Sequence, residues 1–252
     1  FVSWLAIERL QSAFALTERT QTMRVDLSAA RNAEAAFRRT GDPADAAVVD
    51  RSVERLEAAA AALASDWPDG ATLLSELGDS AAGYRAAFER YADATARKQD
   101  NVAAMAERVD TIMAMARAAE RRARERASTV LAAAAAADER RGESFALSET
   151  AERIARLGLL ARAAEARLVE EDTEATRAAV DRSLRALFTE TLSLRKAADA
   201  TPEAERVEEL FGTINAHRKG VEALRAAIAD RAAAAAAHGE AVERLETALE
   251  AL

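Results

Sequence analysis

The sequence has no cysteine, only three prolines and nine glycines, and 4% aromatic residues. Without cysteine there is no disulfide, no thiol nucleophile and no thiolate metal site, a usage that suits an oxidising compartment as well as the cytoplasm. So little proline, glycine and aromatic content, beside 50% hydrophobic and 31% charged residues, is the profile of long helices and bundles. The expected class is all-α. No apolar run approaches the roughly 18 residues that cross a membrane, and no stretch reads as a cleavable signal. The net charge of -8 excludes a broad nucleic-acid surface and leaves small anions to local arginine clusters. With two histidines, no phosphate loop and no HExxH, no catalytic grouping is recognisable. So few soft ligands also speak against a haem or metal bundle. No enzyme activity, cofactor or metal is expected.

The chain opens in mid-helix at FVSWLAIERL and closes in mid-helix at RLETALEAL, without capping signals, as a piece of a longer protein would. Its 252 residues make one large domain or two small ones. The prolines mark turns. Gly41, Asp42 and Pro43 can end one helix and cap the next, SDWPDG around Pro68 ends the second, and Thr201-Pro202 opens the last. RRGES around Gly142 and EEDTE around Asp172 supply two more breaks. Six helices are predicted, over about 1–40, 43–66, 71–140, 145–171, 174–199 and 202–252. The third carries a heptad seam from Leu77 through Tyr84, Phe88, Tyr91, Met105 and Ile112 to Ala119, and the sixth a matching seam from Val207 to Leu252 that includes His217 and His238. At 1.5 Å per residue the third helix would span on the order of 100 Å. The predicted architecture is two stacked four-helix bundles built from six helices, the two long ones shared and each bundle completed by a short hairpin.

The tetrad VDRS occurs at 49–52 and again at 180–183, and residues 30–56 align without a gap on 161–187. Seven matches are not alanine: Arg31 with Arg162, Glu34 with Glu165, Val49 with Val180, Asp50 with Asp181, Arg51 with Arg182, Ser52 with Ser183, and Leu56 with Leu187. In each hairpin the arginine lies about as far before the tip as DRS lies after it, so antiparallel packing sets them at one level. The expected ligand sites are Arg31, Asp50, Arg51, Ser52 and His238 in one bundle and Arg162, Asp181, Arg182, Ser183 and His217 in the other, with Thr95 and Lys98 near the first. Gly212, Gly220 and Gly239 are expected to leave space beside the imidazoles. Guanidinium forks grip carboxylates in two-point fashion, so a small anion is the expected ligand. The competing reading is a pair of interhelical salt bridges, Arg31 to Asp50 and Arg162 to Asp181, that fix register.

This pattern, with the phrase ARNAEAAFRRTGDPADAAVVDRSVERL and its Phe37, Thr40, Gly41 and Asp42, resembles the helical bimodular sensor domains of bacterial chemoreceptors and sensor kinases. The resemblance covers nearly the whole chain. It implies a periplasmic domain between flanking transmembrane helices of an inner-membrane receptor, homodimeric at full length, with a membrane-proximal module over about 1–105 plus 229–252 and a membrane-distal one over about 106–228. It implies small carboxylate ligands such as C4-dicarboxylates or acetate, held largely by arginines. Arg24, Arg153 and Arg156 are neighbouring arginines outside the set that the repeat and the seams select. A related sensor type recognises a periplasmic binding protein, which matches the alternative of a structural or docking bundle without a small-molecule pocket.

Overall fold

The structure, a computed structural model, describes the backbone of residues 2–132, 138–199 and 201–251 and the side chains of residues 16–129, 145–199 and 201–251. Six α-helices follow one another: α1 Val2–Thr40, α2 Pro43–Asp66, α3 Ala71–Ala132, α4 Asp138–Glu170, α5 Glu174–Ala198 and α6 Ala204–Glu250. Glycine and capping chemistry set the turns. Gly41 takes a left-handed φ of 68° and returns its N–H to the Phe37 carbonyl at 2.7 Å, the αL helix stop. Asp42 then caps α2, its carboxylate accepting from the Ala44 N–H at 2.8 Å, with Pro43 at the start of the helix. Removing that acceptor with Asp42→Ala is expected to cost about 1 kcal/mol, read as a lower urea midpoint at unchanged slope. At the other end of α2, a 3-10 turn over Pro68–Gly70 leads into α3. A Cβ on Gly70 would lie 2.1 Å from the Trp67 ring, so only glycine lets the indole fold over the turn onto the neighbouring core. Thr173 caps α5 through a reciprocal capping box with Thr176.

One expected break is absent. Gly142 lies inside α4, which starts at Asp138, while residues 133–137 are outside the described residues. A helical glycine costs about 1 kcal/mol against alanine, a penalty that a helix of 33 residues absorbs. The last helix starts at Ala204, two residues after Pro202, because Thr201 first makes a turn in which its hydroxyl accepts from the Glu203 N–H.

The chain divides into two compact units, residues 1–97 with 229–252 and residues 98–228. In the first unit, α1, α2, α3 and α6 pack around Met23, Leu56, Leu77, Tyr84 and Leu245, all completely buried. In the second, α3, α4, α5 and α6 pack around Ile112, Ile154, Leu187, Ile214 and, in a neighbouring cluster, Leu168 and Val180. Both seams lie inward: Leu77, Tyr84, Phe88, Tyr91, Met105, Val109 and Ile112 on α3, and Val207, Leu210, Ile214, Val221, Leu224 and Leu245 on α6, are buried.

Candidate functional site

The inward positions of α1 recur at Ala30, Ala33 and Glu34, and Phe37, the spacing of one helix face. That face carries a carboxylate into the core. Glu34 is 5% exposed; the Tyr84 hydroxyl donates to its Oε2 at 3.0 Å, and Arg38, one turn on, pairs with its Oε1. His238 Nε2 lies 3.1 Å from the same Oε2, but off the direction of a hydrogen bond, and both ring nitrogens lack an aligned partner. The contact is therefore electrostatic. Around the imidazole stand Tyr84, Phe88 and Tyr91, with ring centroids at 4.8, 5.4 and 6.3 Å, the last one stacked.

Burial by itself would raise the Glu34 pKa, but His238, Arg38 and the Tyr84 hydroxyl together outweigh it and hold the carboxyl below its ordinary value. Burial first, and then the Glu34 charge, push the Tyr84 phenol well above its ordinary range. The signs set a pH profile. A carboxyl lowered on folding contributes stability above its unfolded pKa of 4.5 and loses it as the pH falls through the folded value. A phenol raised on folding contributes fully below 10.0 and loses its contribution as the pH rises beyond that. The unfolding free energy is expected to decline above pH 10, and Tyr84→Phe to flatten that alkaline arm. Denaturant titrations at stepped pH measure both.

In the second unit the equivalent glutamate does the same. Glu165, 6% exposed, meets the completely buried His217, Oε1 to Nε2 at 2.7 Å, and His217 Nδ1 has no partner. The repeat thus places one buried glutamate–histidine contact in each unit, and both histidines belong to α6.

The arginines and DRS motifs lie elsewhere than expected. Arg31 and Arg162 sit beside the inward faces, about half exposed. Arg31 pairs with Glu246 of α6 and Arg162 with Asp110 of α3 at 2.7 Å. Asp50 pairs with Arg85 of α3 at 2.6 Å, and Asp181 with Arg225 of α6 at 2.7 Å. Neither arginine reaches its own hairpin's aspartate: level along a hairpin is not orientation around each helix, and successive residues differ by about 100°. Arg51 and Arg182 are exposed. Ser52 is buried and accepts from Arg55 at 3.2 Å; Ser183 donates to its own helix at the Val180 carbonyl, 2.8 Å away. The aspartates of the two tetrads thus pair with the long helices rather than across the hairpin. Being half exposed, each pair is worth at most about 1 kcal/mol. Thr95 bonds back to the Tyr91 carbonyl, and Lys98 belongs to the second unit, where its ammonium donates to the Val169 carbonyl at 3.0 Å.

Among the described residues the three glycines differ in their surroundings. Gly212 is exposed, Gly239 is half exposed with no atom near its missing side chain, and Gly220 is covered by the Arg108 guanidinium. Two concavities of the second unit do adjoin the predicted residues. A groove of about 530 Å³ between α5 and α6 gathers Arg185, Arg218 and Arg225 over Leu184, Phe188 and Val221, with Asp181 and Glu222 on its walls. A crevice of about 320 Å³ among α3, α4 and α6 contains Arg162 and the buried Glu165.

The residues missed by sequence reasoning are Glu34, Glu165, Tyr84, Arg218 and Arg225. The first two were visible as matched non-alanine positions on the inward face. Among the described residues no group of three or more His, Asp or Glu side chains is arranged to hold a metal ion, and no helix is long and apolar enough to cross a membrane. No protein-family model matches the chain, and no curated protein matches it significantly.

Proposed function

We propose that the chain is the extracytoplasmic ligand-binding sensor domain of a chemoreceptor or sensor kinase, of the helical bimodular kind that its repeat resembles. In this reading it is two stacked four-helix bundles sharing α3 and α6, flanked by transmembrane helices in a homodimeric receptor, and it takes a small organic acid. The observation that carries the reading is the α5–α6 groove, where three guanidinium groups meet an apolar floor in a volume of about 530 Å³, within the range of small-molecule sites. Arg225 is held in place by Asp181 and by the Arg177 carbonyl at 3.1 Å, and its buried Nε retains an unpartnered donor. A carboxylate received there offers the charge-assisted, two-point contact that guanidinium forks favour. Arg218 and Arg225 lie on α6, as do both buried histidines, so occupancy biases the packing of that helix and reports as a population shift.

A thermal-shift screen with acetate, pyruvate, malate, succinate and citrate tests this. A bound acid at about a hundred times its dissociation constant adds roughly 2.7 kcal/mol. The shift is expected to vanish in Arg218→Ala and Arg225→Ala and to persist in Arg31→Ala and Arg162→Ala. No shift with any acid would favour the second reading, a protein-docking bundle, to which the exposed neighbours Leu159 and Leu160 of α4 lend an apolar spot.

A further inference from the structure

The repeat supplies an internal comparison at the two buried glutamates. Glu34 is closed off by Tyr84, Arg38 and His238. Glu165 has His217 as its one ion-pair partner among the described residues. Position 38 is arginine, but its counterpart in the repeat is Val169; where α3 offers Tyr84 to Glu34, it offers Met105 beside Glu165. The space so released is the crevice of about 320 Å³, walled by Val102, Met105, Val169 and Leu224, with Glu165 lining it and Glu170 and Arg162 also present.

We propose that this crevice binds a small organic ammonium ion, its N–H groups on the Glu165 carboxylate and its hydrocarbon body against Val102, Met105, Val169 and Leu224. A carboxylate has about four lone-pair sites, and one imidazole uses only one of them. The crevice lies along the last two turns of α4, which ends at Glu170, and the carbonyl end of a helix favours cations. The Lys98 ammonium already sits on the Val169 carbonyl at that end, so the attraction for a ligand cation rests on the Glu165 and Glu170 carboxylates. An anion would face Glu165 and Glu170, while the Arg162 guanidinium is engaged by Asp110. The site is separate from the α5–α6 groove and opposite to it in charge preference, so either can fail without the other.

Calorimetric titration of the whole chain with n-butylammonium and benzylammonium, beside n-butyrate and n-butanol, tests the proposal. Both amines are expected to bind and the acid and alcohol not to. Glu165→Gln is expected to weaken the amines about tenfold or more. Val169→Arg restores the arginine found at the equivalent position of the first unit, fills the crevice and is expected to abolish binding while the chain stays folded; it decides the matter if Glu165→Gln does not fold. No amine binding to the native chain, butyrate binding as well as butylammonium, or amine binding undiminished in Val169→Arg would each overturn the proposal.

Discussion

Glu34→Leu is expected to destabilise the first unit by about 3 kcal/mol, although leucine is a better core residue by composition. Three groups converge on that carboxylate: the Tyr84 hydroxyl, the His238 imidazole and Arg38. Tyr84 is completely buried, and its hydroxyl would have no water to replace the lost acceptor. Leaving a buried polar group unsatisfied costs its full desolvation, whereas replacing a whole buried network by apolar side chains of similar volume is often neutral. The triple variant Glu34→Leu, Tyr84→Phe, His238→Leu is therefore expected to recover most of the loss. Urea unfolding of the single and triple variants gives the coupling directly. A triple variant that loses as much as the sum of its single changes would show that the three residues act independently.

Leu56→Ala and Leu187→Ala form the second pair of large effects. The two leucines occupy equivalent positions of the repeat, both are completely buried, and each belongs to the core of a different unit. Truncating a buried leucine removes its transfer free energy and leaves a cavity, together about 3 kcal/mol. Hydrogen exchange is the sharper readout, because it reports local opening. Leu56→Ala is expected to lower protection mainly within 1–97 and 229–252, and Leu187→Ala mainly within 98–228. A uniform loss of protection from either change would mean that the two cores open together.

Periodicity carried most of the fold. The α3 and α6 seams are legible because apolar residues recur in steps of three and four over many turns, and only an inward stripe sustains that. Gly41, Asp42 and Pro43 are legible because backbone chemistry, not packing, decides a turn. Gly142 misleads because a single glycine is a weak breaker in a long helix.

The site was half legible for a geometric reason. The repeat identifies Arg31, Glu34, Asp50 and their counterparts, and level along the hairpin favours pairing arginine with aspartate. Angle decides otherwise: Glu34 shares the inward face of Ala30 and Phe37, whereas Arg31 is turned away beside it. The same test applied to Ala161, Glu165 and Leu168 selects the glutamate again. The ion-pair partners Arg85, Asp110, Arg225 and Glu246 lie beside the apolar seams of α3 and α6, so the periodicity that locates the seams does not mark them. The groove over Leu184 and Phe188 depends on how α5 rests against α6, and no local pattern encodes that.

The most direct measurement is proton and nitrogen-15 NMR of the histidine rings, since the chain has two histidines and single substitutions assign both. If the repeat's glutamate is what joins each hairpin to α6, the His217 Nε2–H donates to a buried carboxylate and gives a downfield proton that exchanges slowly with water. Glu165→Leu removes that resonance, and Arg162→Ala and Asp181→Ala leave it in place. A His217 ring proton that exchanges freely with solvent, or one that disappears with Arg162→Ala and survives Glu165→Leu, would contradict the pairing and return the arginine to the centre of the site.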